Sequence, residues 1–162
     1  MKAFLLLIVV LSCLGFSAKK IEVNGTLKSD LNNVLKGASD LHGACFNQDE
    51  ALIAAQLKKL VGYIDQARKR VSLEEIEKTH LEKMLHAAKG NLENSLTASG
   101  EDRENSLKGA FEQLVNLAKA YQLERYQIFF CYKDKSTWLQ KGWRPQNPIH
   151  PKKYGKCGAL VR

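Results

Sequence analysis

The sequence predicts an all-α protein: an antiparallel four-helix up-down bundle that carries a short irregular and β-stranded C-terminal cap closed by a disulfide. Apolar residues recur in alternating steps of three and four from Leu27 to Tyr121, which is the spacing of helices that bury one face. Short breaks divide this stretch into four segments, and short connections make neighbouring helices antiparallel. The last 39 residues differ in kind, since they hold both tryptophans, all three prolines and two of the four cysteines.

The chain begins with a pattern typical of a secretory signal peptide. Lys2 precedes the apolar run AFLLLIVVL, which is far shorter than the roughly 20 apolar residues that a membrane-spanning helix needs. Gly15-Phe16-Ser17 offers small residues where signal peptidase reads, so residues 1–17 are predicted to be removed. Alternatively, Val10-Leu11-Ser12-Cys13 resembles a bacterial lipobox, in which Cys13 would carry a lipid. We therefore expect an exported protein, either periplasmic or anchored to a membrane through Cys13.

Four amphipathic helices are predicted within residues 18–123. Asn47 with Glu50, and Ser72 with Glu75, have the capping-box spacing that begins a helix, and Ser99-Gly100 separates the third helix from the fourth. The residues predicted to face inward are, helix by helix, Leu27, Leu31, Val34, Ala38, Leu41 and Cys45; Ile53, Leu57, Leu60, Ile64, Ala67 and Val71; Ile76, Leu81, Met84, Leu85, Ala88, Leu92 and Leu96; and Leu107, Phe111, Leu114, Ala118 and Tyr121.

Four glycines lie inside the predicted helices, at Gly37, Gly62, Gly90 and Gly109. A glycine in a helix interior costs about 1 kcal/mol relative to alanine. We therefore expect each to let a neighbouring helix approach closely at a seam of the bundle, rather than to act as a hinge.

Positive charge is concentrated in the predicted cap, residues 124–162. Residues 18–123 contain 15 Lys and Arg against 15 Asp and Glu, whereas the last 39 residues contain nine against two. A basic surface of this kind can bind phosphates, anionic lipids or an acidic protein, or it can simply favour solubility. No nucleic-acid-binding motif accompanies the charge, so a nucleic-acid partner is not expected.

The cap is predicted to begin with a strand at residues 126–132 and to end with a short one at 159–161. The segment between them is interrupted by glycine and proline, so it is expected to be irregular and to need a cross-link. Cys131 and Cys157 bracket that segment. In an oxidising compartment they are predicted to form a disulfide. The alternative is that both sulfurs bind a soft metal such as copper(I), with His150 or a histidine of the bundle nearby.

Two pairs of residues in the bundle are weaker metal-ligand candidates. His80 and Met84 are four residues apart on one helical face, and His42 lies three residues before Cys45. A histidine at the edge of an apolar stripe is expected to have a structural role, and Cys45 is expected to be a small buried hydrophobe. No signature of a nucleophile with its base and oxyanion donors accompanies the cysteines. The chain is therefore predicted not to be an enzyme.

The cap contains, in order, Cys131, Trp138-Leu139, Asn147-Pro148 and Cys157-Gly158. This order resembles the end of a family of secreted bacterial helical domains of unknown function, in which Cys-Pro-Met, Trp-Leu, Asn-Pro-Tyr-Tyr-Gly and Met-Leu-Thr-Cys-Gly follow one another. Members occur alone or at the C-terminal end of periplasmic adaptor subunits of copper-efflux pumps. Upstream, Glu101-Asp102-Arg103 is a looser match to a helical stretch of the family.

The resemblance implies a periplasmic domain that handles heavy metals, copper above all, alongside a metal-efflux component. However, the family's Pro-Met is Tyr132-Lys133 here, and its last methionine is Tyr154. Because both thioether ligands are absent, weak or no copper binding is expected. The favoured prediction is a non-enzymatic exported module related to copper efflux. The alternative is an interaction protein whose basic, disulfide-closed cap docks on an acidic partner or an anionic surface.

Overall fold

The structure, a computed structural model, describes residues 19–23, 25–73 and 78–161. Most of them belong to four helices, α1 (Gly25–Asn47), α2 (Glu50–Leu73), α3 (Lys78–Thr97) and α4 (Gly100–Ala120). Helices α1 and α2 pack together, as do α3 and α4, and α2 also packs on α3. The predicted helical bundle is confirmed. The predicted leader with Cys13, together with Glu75 and Ile76, lies outside the described residues.

The predicted inward faces form the core of the bundle. Every described residue that was assigned to them is buried except Leu96, which lies in the last turn of α3 and is 36% exposed. The helical period therefore identified the buried face, because burial of one stripe is what holds such helices together. None of the helices in the described part of the chain is long and apolar enough to cross a membrane.

The expected role of the helical glycines is correct for two of the four. A Cβ atom at Gly37 would lie 3.1 Å from the ring of Tyr63 on α2, and one at Gly109 would lie 2.8 Å from a side chain of α3. These two glycines admit a close neighbouring helix, as predicted. The prediction is wrong for Gly62 and Gly90, where an added Cβ would meet nothing within 4 Å.

The cap contains a three-stranded antiparallel sheet in the order β2-β1-β3. Its strands are β1 (Gln127–Phe130), β2 (Thr137–Gln140) and β3 (Ala159–Leu160). A short helix, α5 (Pro151–Tyr154), follows β2 and precedes β3 in the chain. Strand β2, which the sequence did not predict, pairs with β1 so that Trp138 lies opposite Phe129. The expectation that only irregular structure separates the first and last strands is therefore wrong.

The sheet packs on the bundle, where β2 contacts α4 and α1. Trp138 is fully buried, and its ring stacks on that of Phe129 with a centroid separation of 5.8 Å. One continuous hydrophobic cluster includes these two residues and the inward faces of the four helices. The core thus extends from the bundle into the cap.

Candidate functional site

Cys131 and Cys157 form the disulfide that the sequence predicts. Cys131 follows β1 and Cys157 precedes β3, and their Cα atoms are 5.2 Å apart although 26 positions separate them in the chain. The bond encloses β2 and α5 in one loop. Because the two sulfurs are bonded to each other, neither is a thiolate able to ligate a metal ion.

The side chain of Asn147 is fully buried and orders the segment before α5. Its Nδ2 donates to Oδ2 of Asp134 at 2.9 Å and to Oγ of Ser136 at 3.3 Å. Its Oδ1 accepts from the backbone N–H groups of Ile149 at 2.9 Å and His150 at 3.2 Å. Both donor and both acceptor positions of this amide are in use, so its contacts are those of a structural residue.

Gln140 performs the same task at the end of β2, although it was not among the site residues predicted from the sequence. Its Oε1 accepts from Trp138 Nε1 at 2.8 Å and from the N–H of Gln146 at 3.1 Å. Its Nε2 donates to the carbonyl oxygens of Gly142 and Arg144 at 2.8 and 2.7 Å. The buried amide thus fixes the loop that leaves the strand.

The remaining motif residues of the cap also pack tightly. Trp138, Leu139 and Pro148 are buried. A Cβ atom at Gly158 would lie 2.7 Å from Cβ of Pro145 and 3.0 Å from Cη2 of Trp138. A larger residue at position 158 would therefore push apart the chain segments on either side of the tryptophan ring.

His150, a predicted metal ligand, lies near two carboxylates, one on α4 and one in the cap. Its Nδ1 is 3.5 Å from Oε1 of Glu104 on α4, and its Nε2 is 3.9 Å from Oδ2 of Asp134. The pKa of Asp134 is lowered overall: burial acts to raise it, but hydrogen bonds from Ser136 and Asn147 outweigh that effect. The cluster links the cap to the start of α4.

The other predicted metal ligands lie elsewhere. His80 is exposed in the first turn of α3, and Met84 is buried one turn further on. Helix α3 begins beside the end of α2, whereas His150 shares a cavity with Glu50, at the start of α2. A helix of 24 residues is about 36 Å long, so the structure does not bring His80 and Met84 to His150. Within the described ranges, no three His, Cys, Asp or Glu side chains are arranged to hold a metal ion.

The cavity between the end of the bundle and α5 contains Cys45 and Arg103. Arg103 Nη1 donates to Oε2 of Glu50 at 2.7 Å and so ties α4 to the start of α2. Burial raises the pKa of the Cys45 thiol to about 12, with Arg103 opposing the shift and Glu50 adding to it. Since the thiolate is the reactive form, Cys45 is the small buried hydrophobe that the sequence predicted.

His42 joins α1 to the cap. It is buried, and its Nε2 donates to the carbonyl oxygen of Gln146 at 2.7 Å. Burial lowers the pKa of His42, and the hydrogen bond to Gln146 offsets part of that shift. The hydrogen bond satisfies this buried ring, which is consistent with the structural role expected for His42.

We expect the free energy of unfolding to fall as the pH drops below about 6.5, the pKa of an unperturbed histidine. Because the pKa of His42 is lowered in the folded protein, the unfolded chain takes up a proton first. The stability that neutral His42 contributes is thus complete above about pH 6.5 and is lost as the pH falls through its folded pKa.

Urea unfolding from about pH 8 to about pH 5 measures this profile. His42→Gln keeps an N–H donor but does not titrate, so it should flatten the slope in this range. An equally steep profile in His42→Gln would contradict the assignment and attribute the slope to the other histidines.

Four lysines of the cap line one groove of about 680 Å³, which Cys157 of the disulfide also lines. They are Lys133, Lys152, Lys153 and Lys156, and we call this surface the basic groove. Aromatic residues, glycines, a proline, an alanine and Cys157 form the rest of its lining, and no described residue that lines it is acidic. Among the ion pairs of the described residues, none involves these four lysines.

The ring of Tyr154 lies close to two of the lysines. Lys153 Nζ lies 5.1 Å from the ring centroid of Tyr154, and Lys133 Nζ lies 5.7 Å from the same centroid. Tyr132, which also lines the groove, is 64% exposed. The groove therefore offers cations together with accessible aromatic surface.

No protein-family model matches the chain, and searches of the curated proteins and of the solved structures give no match either. The resemblance of the cap to copper-efflux modules therefore stays a prediction made from the cap motif.

Proposed function

We propose that the protein is a non-enzymatic, exported binding protein that docks on an anionic partner through its basic groove. The observation that carries this proposal is the grouping of four lysines around one concave surface whose described lining has no carboxylate. Lys152, Lys153 and Lys156 are neighbours in sequence, but Lys133 is not. It reaches the groove because it lies two residues after Cys131, which is bonded to Cys157.

The charges of the bundle are arranged differently. Several of its cations are paired with carboxylates, for example Lys36 with Asp40 at 2.9 Å and Lys89 with Asp65 at 2.7 Å. Pairs of this kind cancel at a distance, whereas grouped like charges create a potential that attracts a charged partner. The positive potential of the molecule is therefore expected to be strongest at the cap.

Export is part of the proposal because of the disulfide. Such bonds persist in oxidising compartments and are rare in the cytosol of mesophiles. The Cys131–Cys157 bond thus supports the export that the leader pattern suggests. Whether residues 1–17 are removed or Cys13 carries a lipid is read directly by mass spectrometry of the purified protein.

Copper handling, which the resemblance implies, has less support. The two cysteine sulfurs are bonded to each other, and the charged neighbours of His150 are the carboxylates of Glu104 and Asp134. Carboxylates suit hard ions better than copper(I). An acidic component of a metal-efflux system would nevertheless have the chemistry that the basic groove requires. Copper(I) titration of the reduced protein tests the copper alternative, and saturable heat would favour it.

Changing the four groove lysines to glutamine (Lys133→Gln, Lys152→Gln, Lys153→Gln and Lys156→Gln, the groove variant) is expected to weaken binding to anionic probes by about a hundredfold or more. A lysine close to an anionic surface contributes roughly 1 kcal/mol, and four such contributions need not be fully additive. Suitable probes are labelled polyglutamate, followed by anisotropy, and phosphatidylglycerol vesicles, followed by co-sedimentation.

Binding of the unmodified protein should also weaken as salt is raised, because exposed charges are screened. Retention of full affinity for both probes by the groove variant would contradict the proposed function. So would binding that is independent of salt.

A further inference from the structure

We propose that residues 141–144, the Trp143 loop, form a lipid anchor that places the indole of Trp143 in the headgroup region of an anionic phospholipid bilayer. This inference rests on the proposed function, since it names the anionic partner, but it depends on different residues from the basic groove.

Trp143 is 72% exposed, whereas Trp138, five residues earlier, is fully buried. The residues on both sides of Trp143, from Lys141 to Arg144, are exposed as well. A tryptophan carries a large apolar area together with one N–H donor, and this combination favours the boundary between lipid and water. The loop thus presents in water the side chain that is best suited to such a boundary.

Hydrogen bonds order the loop that carries Trp143, although the side chain of Trp143 is exposed. The buried amide of Gln140 donates to the carbonyl oxygens of Gly142 and Arg144, on the two sides of the tryptophan. A loop tip that enters a headgroup region loses part of its contact with water, so unpaired carbonyl groups there would be costly. Here two of the carbonyl groups are already satisfied from inside the protein. The backbone on both sides of Trp143 is therefore fixed before binding, which reduces the conformational entropy lost when the loop inserts.

The charge of the loop selects an anionic bilayer. Lys141 and Arg144 flank the tip, and the chain from Lys135 to Arg162 contains seven Lys and Arg residues and no Asp or Glu. Anionic lipid headgroups attract basic segments that lie close to the bilayer surface. The loop is also next to the basic groove, because Pro145 packs against Gly158, which lines the groove.

A protein partner fits the loop less well. An aromatic hot spot in a protein interface is normally surrounded by other contacts that exclude water. The neighbours of Trp143 in the loop are a lysine, a glycine and an arginine, all exposed, and the loop has no second apolar side chain. A single indole flanked by cations is better suited to insertion among anionic headgroups than to the water-free centre of a protein interface.

The test uses the full protein recovered after export, with vesicles of phosphatidylglycerol and phosphatidylcholine in equal parts and with vesicles of phosphatidylcholine alone. We expect tryptophan emission to shift to the blue on the anionic vesicles only. Trp143→Ala should weaken partition to these vesicles about tenfold, the usual effect of losing the burial of one aromatic side chain. Trp143→Phe should retain most of the binding but lose the emission shift, because buried Trp138 then emits alone. Leu52→Ala, which truncates an exposed apolar residue of α2, is the control and should change neither.

Partition of Trp143→Ala equal to that of the unmodified protein would overturn the anchor. If the groove variant loses binding while Trp143→Ala does not, the proposed function stands without the lipid anchor. Binding to polyglutamate with none to anionic vesicles would also overturn the anchor and would favour an acidic protein. Absence of binding to both probes would overturn the proposed function itself.

Discussion

Replacing Trp138 with alanine is expected to lower the free energy of unfolding by about 3–5 kcal/mol, the usual cost of truncating a buried aromatic side chain. The ring is fully buried and stacks on Phe129, and its Nε1 donates to Oε1 of Gln140. The substitution would leave a cavity between the sheet and α4. It would also remove one partner from an amide that orders the cap, at a further cost.

Trp143→Ala is the matched control, since it deletes the same atoms from an exposed position in the same cap. It should change the free energy of unfolding by no more than about 0.5 kcal/mol. Urea unfolding followed by circular dichroism measures both variants. Equal losses would show that the tryptophan at position 138 is not the centre of the packing between cap and bundle.

Removing the disulfide with Cys131→Ala and Cys157→Ala together is expected to cost about 3–4 kcal/mol of unfolding free energy. The bond joins two cysteines that are 26 positions apart, and the loop that it closes contains both β2 and α5. Without it the unfolded chain gains conformational entropy, while β3 keeps only its short pairing with β1. The loss should be largest in the cap, so amide exchange should accelerate there more than in α1 to α4.

A reducing agent provides the second arm of this test. It should destabilise the unmodified protein by a similar amount and leave the double variant unchanged, because the bond is already absent from the variant. If neither reduction nor substitution changes the unfolding free energy, the packing of Trp138 and the buried amides orders the cap without the covalent bond.

The helices could be predicted from the sequence because each is specified by its own local period. Every described residue of the predicted inward faces is buried except Leu96. Strand β2 could not be predicted in this way. Its four residues lie in a stretch interrupted by glycine and proline, and they are extended because they pair with β1, where Leu139 lies opposite Ile128. Thr137 and Trp138 do favour strands, but the partner strand that extends them is a long-range contact which the local sequence does not specify.

The disulfide could be predicted because compartment and position indicated the same pair of cysteines. The polar framework of the cap could not. Gln140 is buried because the chain folds back to Gln146 after a turn, and His42 reaches the carbonyl of Gln146 across 104 positions of sequence. The predicted metal ligands failed to come together for the same reason. Sequence spacing gives no indication that His80 and His150 lie near opposite ends of α2.

The basic groove also depends on a long-range contact, since the disulfide brings Lys133 to the three lysines around α5. From the sequence alone, the same charges were equally compatible with a surface that only favours solubility. Grouping of the charges, rather than their number, is what distinguishes a docking site from such a surface.

The most direct test of this account compares two variants of equal net charge in the same vesicle and polyglutamate assays. One is the groove variant. The other changes four exposed lysines of the helices to glutamine, at Lys58, Lys59, Lys83 and Lys119. We predict that the helix variant binds nearly as well as the unmodified protein, while the groove variant loses about a hundredfold in affinity. Equal losses in the two variants would contradict the account, because binding would then follow total charge and not the groove.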